Sequence, residues 1–292
     1  MVAWKPFPSN LPLVEGWRRL GIRAELLRPS DARRRLGPGD VALARLDVTP
    51  TLDRVEAGLV EITALGRRGV RLLNPPAALL AAHDKRETAL RLIDAGIPHP
   101  RTLHRKRLDE VRALAPPFVL KPRFGSWGQD VMLCRDAGEL ERCLARIRDR
   151  SWFRRHGVLI QELVPPVGYD LRVIVAGERI VGAERREAAP GEWRTNEALG
   201  GRAIPALPSE EEGALAIDAA RAIGGDLLGV DLLPLPDTGY VVIEVNSAVD
   251  FDAEDSLPGR SVYADAADAL ALGRTNRPAA ESSRSAEARV GR

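Results

Sequence analysis

The chain has 292 residues, with 43 basic and 41 acidic side chains and a formal net charge of +2, too small a surplus to argue for nucleic acid or an acidic membrane as partner. At 45% hydrophobic and 29% charged residues its composition is globular, which excludes disorder for the bulk of it. No run approaches the ~18 apolar residues of a membrane span, and MVAWKPFPSN lacks a signal-peptide stretch, so a cytoplasmic protein is expected.

Residues 1–76 read as a small αβ layer. Leu11 to Leu20 is a helix stopped by Gly21, Arg23 to Leu27 and Val41 to Leu46 are strands, Leu52 to Leu65 is a helix, and Val70 to Leu73 is a strand before Asn74-Pro75-Pro76. Only Val2 to Trp4 is left for a first strand, and the alternation predicts a small parallel sheet. Asp84 with Glu87 then signals a capped helix over about 85 to 95, with Ala89, Leu90 and Ile93 turned inward and Gly96 and Pro98 as the stop. Pro100 to His104 is a strand, Leu108 to Leu114 a helix, and Phe118 to Lys121 a strand whose hairpin partner is Val131 to Cys134. Asp136 with Glu139 caps the next helix.

Beyond it the pattern turns to strands: Val158 to Glu162, Asp170 to Ala176 and Arg179 to Arg185. After a polar stretch over 187 to 202, Ser209 with Glu212 caps a helix to about Ile223. Strands Leu228 to Leu233 and Tyr240 to Val245 follow, then a helix over about 259 to 272. The two cysteines, Cys134 and Cys143, have no histidine at ligand spacing, and Cys143 lies on an apolar helical stripe, so both belong to the core. Residues 274 to 292 hold five arginines against two glutamates and lack apolar periodicity. They form a disordered basic tail by expectation, and the preceding body is near neutral.

Lysine is scarce, only Lys5, Lys85, Lys106 and Lys121, so where each falls is informative. Lys121 ends a strand and faces a loop, Gly125-Ser126-Trp127-Gly128, whose glycines let backbone N–H groups approach a phosphate while the lysine supplies a point charge. Val230-Asp231-Leu232-Leu233 and Val242-Ile243-Glu244-Val245-Asn246 form a second constellation. Strand alternation puts Glu244 and Asn246 on one face with Asp231 beside them. Two carboxylates and an amide oxygen suit Mg²⁺ completed by nucleotide phosphates. The third is Gln161-Glu162-Leu163-Val164-Pro165-Pro166, a strand running into a connection that offers backbone groups to an adenine edge, followed by Asp170-Leu171-Arg172.

In this order the residues resemble the ATP-grasp superfamily, and within it the group of the ribosomal-protein glutamate ligase RimK and the aminoadipate carrier-protein ligase LysX, from about Asn74 to Leu272. Asp84-Lys85, Arg185-Arg186, Arg194-Thr195-Asn196 and Gly200-Gly201 complete the ordered set, and Gly125 to Gly128 with Arg194 to Gly201 looks closest to the LysX branch. The resemblance implies an α/β (α+β) ATP-grasp fold. A pre-ATP-grasp domain at 1–76 would precede a subdomain at 77–163 carrying the phosphate loop and one at 164–273 carrying the metal site, the two sandwiching ATP.

It further implies that Lys85 and Lys121 contact phosphates, that Gly125, Ser126, Trp127 and Gly128 close over them, and that Gln161, Glu162, Leu163 and Val164 hold adenine and Asp170 ribose. Asp231, Glu244 and Asn246 would bind Mg²⁺, or Mn²⁺ in its place. Arg172, Arg185, Arg194 and Asn196 would face the γ-phosphate or the acceptor carboxylate. The implied reaction is ligation of a carboxylate to an amine through an acylphosphate, adding an amino acid such as glutamate to a peptide, a small carrier protein or a small molecule. A homo-oligomer is compatible with this reading; a nucleic-acid or membrane partner is not expected. The alternatives are an ATP-grasp kinase of a small metabolite and a nucleotide-binding module without catalysis. One departure stands out: after Asn246 the chain reads Ser247-Ala248-Val249-Asp250-Phe251 and then Asp252-Ala253-Glu254-Asp255, which points to a different substrate end of the site.

Overall fold

The structure is a computed structural model and describes residues 1–273 apart from Phe7 and Thr238. The expected tail at 274–292 lies outside the described residues. The first layer comprises α1 (Asn10–Arg19), α2 (Pro29–Arg35), β1 (Val41–Leu43), α3 (Leu59–Arg67) and β2 (Arg71–Leu73). β1 and β2 pair in parallel, and Val2 bridges in parallel to both Leu27 and Ala44. The expected parallel sheet is therefore present, but the strand read over 23–27 shrinks to a bridge at Leu27. The helix read from Leu52 starts only at Leu59, because Leu52 (φ 55°) and Gly58 (φ 131°) take left-handed backbone that no α-helix tolerates. α2 was not expected: it buries only Pro29 and Ala32, too few positions to show a period.

α4 (Pro76–His83), also unexpected, buries Ala78, Leu79, Ala81, Ala82 and His83. Residues on so many sides of a helix give no amphipathic signal. It leads through Asp84 into α5 (Lys85–Asp94), where the Asp84 carboxylate accepts from the amides of Arg86 and Glu87. The inward face of α5 differs from expectation. Ala89 is buried, but Leu90 and Ile93 are 40% and 55% exposed, and Lys85, Thr88 and Leu92 turn in instead. Once Lys85 at the first helical position faces the interior, the i, i+3, i+4, i+7 rule selects this stripe.

Next come β3 (Thr102–Arg105), α6 (Leu108–Arg112), β4 (Phe118–Lys121), β5 (Met132–Cys134), α7 (Ala137–Ile147), the unexpected short α8 (Ser151–His156) and β6 (Val158–Glu162). They form an antiparallel sheet in the order β3-β6-β4-β5, in which β4 and β5 are the expected hairpin. The last unit holds β7 (Tyr169–Ala176), β8 (Arg179–Glu187), β9 (Arg202–Pro205), α9 (Glu210–Ile223), β10 (Leu227–Pro234), β11 (Tyr240–Asn246) and α10 (Val262–Ala269). Its sheet runs β11-β10-β7-β8-β9, again antiparallel. Ser209 and Glu212 form a complete capping box at α9, as read.

Asn74 ties the layers together. Fully buried at the end of β2, its carboxamide donates to the carbonyls of Ala44, Leu227 and Ser247 and accepts from the amides of Asp226 and Leu227. Cys134 is buried and Cys143 half-buried, both as free thiols, and burial pushes the Cys134 thiol up, which fits their place in the core. No helix among the described residues is long and apolar enough to cross a membrane.

Candidate active site

A cleft between the two antiparallel sheets is lined from one side by Lys85, Lys121, Gly125, Ser126 and Gly128, from the connection by Gln161 to Asp170, and from the other side by Arg186, Arg194 to Asn196, Asp231 and Glu244. Both lysines are buried, at 8% and 5% exposure. The Lys85 ammonium donates to the Gly125 carbonyl (2.7 Å) and to Glu244 Oε1 (2.5 Å). Lys121 Nζ donates to Gln161 Oε1 (2.7 Å). Burial, and next the charge of Lys85, push the Lys121 ammonium down to about 7 despite Glu244. An anion bound beside the two lysines would offset the burial and the like charge that lower Lys121.

Gly128 (φ 68°) carries no Cβ, and a Cβ there would stand 2.6 Å from Asn196 Oδ1. The loop and the 194–196 segment thus interlock. Arg194 Nη1 donates to the carbonyls of Gly128 and Val131 (both 3.1 Å), and its Nε and Nη2 hold Glu192, whose carboxyl is pulled down to about 2 by that hydrogen bond. Trp127 departs from the rest of the loop. It sits in left-handed backbone (φ 59°), is 41% exposed and does not line the cleft.

On the opposite sheet, β-strand register assembles a charged lattice. Asp170 lies opposite Arg186, Arg172 opposite both Glu184 and Asp231, and Asp231 opposite Glu244. Arg172 grips Asp231 through Nε and Nη2 (2.8 and 2.9 Å). Arg186 grips Asp170 (2.8 and 2.5 Å) and reaches Asp231 at 2.9 Å. Thr195 Oγ1 adds a bond to Asp170 (2.7 Å). Burial pushes the Asp231 carboxyl up, but the Arg172 and Arg186 charges outweigh it and hold it well below the usual range. Glu184, more buried than paired, is pushed up to about 8.

Tested against a magnesium ion, this donor set fits in its chemistry, with both Asp231 oxygens held by Arg172 and Arg186 in this structure. Asp231 and Glu244 face one another across the β10–β11 register, and Asn246 Nδ2 donates to Asp231 Oδ2 at 3.4 Å, which brings the carboxamide whose oxygen could serve a metal beside them. Among the described residues no three acidic, histidine or cysteine groups gather at metal distance, so two carboxylates and an amide are what the chain offers, all hard oxygen donors. Their charge is balanced here by Arg172, Arg186 and Lys85.

The structure therefore brings together most of the residues singled out in the sequence, with exceptions. Arg185 does not join them: alternation along β8 turns it to the other face, where its guanidinium stacks 3.9 Å from the Tyr169 ring. Its neighbour Arg186 takes the inward place, and pairing 170 and 172 with the alternate residues of the next strand was the available signal. Asp170, expected at the ribose, has both oxygens engaged by Arg186 and Thr195, and Arg172 serves Asp231 rather than the open cleft. Glu162, Leu163 and Val164 line the cleft.

A family model described as a RimK-like ATP-grasp domain matches residues 79–267. Over 221 residues the chain is 33% identical to beta-citrylglutamate synthase B of Danio rerio, covering 73% of this chain and 53% of that protein. It is 30% identical over 221 residues to the glutamate–LysW ligase ArgX of Sulfurisphaera tokodaii, covering 73% and 78%. Among solved structures, a RimK-domain ATP-grasp protein of Sphaerobacter thermophilus superposes with a TM-score of 0.66 at 23% identity, covering 91% and 97% of the two chains. The chain spans little more than half the length of the animal synthases it matches.

Proposed function

The chain belongs to the RimK-like ATP-grasp family, and on that premise we propose that it is an ATP-dependent carboxylate–amine ligase that forms an amide or peptide bond through an acylphosphate. The observation that carries this reading is the pair of buried lysines, Lys85 and Lys121, whose like charges share one side of a cleft that also holds Asp231 and Glu244. A polyphosphate relieves the lysines, and a divalent cation relieves the carboxylates. Ligases of this superfamily use ATP and Mg²⁺, and Asp231, Glu244 and Asn246 would hold the metal, which supplies charge neutralisation on the phosphates.

The chain's own residues do the rest. Lys85 and Lys121 bind the polyphosphate, Arg194 and Asn196 hold the Gly125–Gly128 loop over it, and Gln161 to Val164 offer strand-end backbone to the base. Arg186 contacts both Asp170 and Asp231 and stabilises negative charge as the substrate carboxylate attacks the γ-phosphate. An incoming amine then displaces phosphate. The similarity to synthases and ligases named for glutamate supports an amino acid as one partner in the bond and a peptide, small molecule or carrier protein as the other. The same reading divides the chain at 76/77 and 163/164 and places it in the cytoplasm.

The test is phosphate release from Mg-ATP with pairs of amino acids, repeated with Glu244→Ala. Stimulation by a carboxylate–amine pair that vanishes in the variant is expected; ADP formed without free phosphate would make the protein a kinase instead.

A further inference from the structure

Two prolines enclose His99 in Ile97-Pro98-His99-Pro100, just before β3, and a residue that precedes proline is held to extended backbone. This short, stiff piece lies along β11, the edge strand of the five-stranded sheet. The Val242 amide donates to the Pro98 carbonyl (2.9 Å), and His99 Nδ1 lies 2.7 Å from the Val242 carbonyl. On its other side the same imidazole meets the wall of the nucleotide cleft. Its Nε2 stands 3.3 Å from Gln161 Nε2 and 3.1 Å from Thr102 Oγ1, and Gln161 Oε1 accepts from Lys121 (2.7 Å). Lys121 and Gln161 line the cleft, whereas His99 and Thr102 do not.

Both ends of this chain of contacts have a fixed polarity, which settles the protons between them. In its charged, phosphate-binding form Lys121 has only hydrogens to give, so Gln161 turns its oxygen to Lys121 and its nitrogen to the other side. That nitrogen gives one hydrogen to Thr102 Oγ1 (2.8 Å), whose own hydroxyl proton goes to the Pro100 carbonyl (2.9 Å). Its second hydrogen is left for His99 Nε2, which is therefore the proton-free nitrogen. The ring proton then sits on Nδ1, where the Val242 carbonyl can only accept. The opposite tautomer would set a lone pair against that carbonyl and an N–H against the Gln161 amide nitrogen. Burial above all lowers the imidazole to about 4 despite the Val242 bond, and the Lys121 charge adds to the lowering.

We propose that His99 is a positioning residue of the nucleotide site: its Nδ1-protonated imidazole, anchored on Val242, fixes the orientation of the Gln161 carboxamide and through it the aim of the Lys121 ammonium. This deepens the nucleotide reading of the cleft and rests on it. His99 acts by removing a choice, because a carboxamide can present either end, and a fixed acceptor behind it keeps the oxygen forward. Thr102 lies directly opposite Gln161 in the β3–β6 register but cannot do this alone, since a hydroxyl donates or accepts and would follow a flipped amide. His99 cannot follow, because moving its proton to Nε2 forfeits the Val242 bond. Val242 also precedes Ile243, the residue skipped in the β10–β11 register just before Glu244, so one ring ties the lysine wall to the strand of the proposed metal ligands.

Two measurements test this. Long-range proton–nitrogen correlation spectra of the ligand-free protein are recorded near pH 6, between the values of about 4 for His99 and about 7 for Lys121. They should show His99, assigned by the loss of its signals in His99→Asn, with its proton on Nδ1; a proton on Nε2 overturns the proposal whatever the protein binds. A double-mutant cycle on Mg-ATP affinity, read by calorimetry, tests the action through Gln161. His99→Leu should raise the Kd about tenfold in the wild-type background, the scale of one hydrogen bond to a charged group, and less than about twofold in a Gln161→Met background. His99→Asn keeps a donor for Val242 but falls short of Gln161, so it should show the same affinity loss with a thermal midpoint nearer wild type. Should His99→Leu fail to fold, His99→Asn carries the cycle. Equal losses in both backgrounds, or no loss in the wild-type background, would make His99 a tether of β11 only and overturn the proposal while the nucleotide reading stands. A wild-type protein with the expected tautomer that binds no Mg-ATP overturns the nucleotide reading, and the positioning role with it.

Discussion

Lys85 and Glu244 stand 159 residues apart in sequence and meet at 2.5 Å, joining the first turn of α5 to β11, the strand that carries the proposed metal ligands. Without nucleotide each fills the other's need: the ammonium stands in for a cation at Glu244, and the carboxylate stands in for a phosphate at Lys85. On the proposed roles of the two residues, ligand binding breaks this pair and re-forms two.

Glu244→Gln is expected to keep ATP binding while lowering the Mg²⁺ enhancement of that binding by about 10- to 100-fold, the worth of a hydrogen bond to a charged group. Titration calorimetry of ATP with and without Mg²⁺ checks this; an unchanged enhancement would remove Glu244 from the metal site.

Nucleotide binding should take up a proton. With its ammonium lowered to about 7 from the ordinary 10.5, Lys121 is largely neutral at pH 8 in the ligand-free protein, and phosphate restores its charge. Proton uptake of up to about one per ATP is expected near pH 8 and little below pH 6, with affinity falling as pH rises above 7. The same lowering means that the unfolded chain holds more protons than the folded one between about 7 and 10.5, so Lys121's part in stability grows as pH rises through that window. Calorimetry in buffers of different ionisation enthalpy measures the uptake, and Lys121→Met should abolish it.

Substituting neighbours on β8 should separate the two arginines. Arg186→Ala leaves Asp170 and Asp231 buried without their shared cation and is expected to cost about 3–5 kcal/mol in urea unfolding as well as the activity. Arg185→Ala loses a stacking contact on Tyr169 worth about 1 kcal/mol at most. Equal effects from the two would contradict the register.

Gly128→Ala combines a left-handed backbone with a Cβ 2.6 Å from Asn196 Oδ1, whereas Gly191 (φ 82°) has open space around it. Both alanines bear about 1 kcal/mol of backbone strain. Only the first should also weaken ATP binding, because only it pushes the loop off the 194–196 segment. Thermal midpoints and ATP affinity of the pair test that difference.

Local signals carried far in this chain. The caps at Asp84, Asp136 and Ser209 and the alternating strands of both antiparallel sheets place the lysines, the glycine loop and the three oxygen donors without reference to the fold. What escaped were features decided at long range. Leu90 and Ile93 seemed inward because leucine and isoleucine usually are, until Lys85 set the phase of α5. Arg185 outranked Arg186 because two adjacent arginines are indistinguishable until a neighbouring strand fixes which faces Asp170.

Asn74 has a kinetic consequence. The amides of Asp226 and Leu227 are capped by its side-chain oxygen rather than by a strand ladder, while its amide nitrogen fastens the carbonyls at the ends of three segments. Their exchange with solvent deuterium is therefore governed by one buried carboxamide. No single strand at this junction can fray without releasing the others, so first layer, β10 and the end of β11 should surrender their protons together.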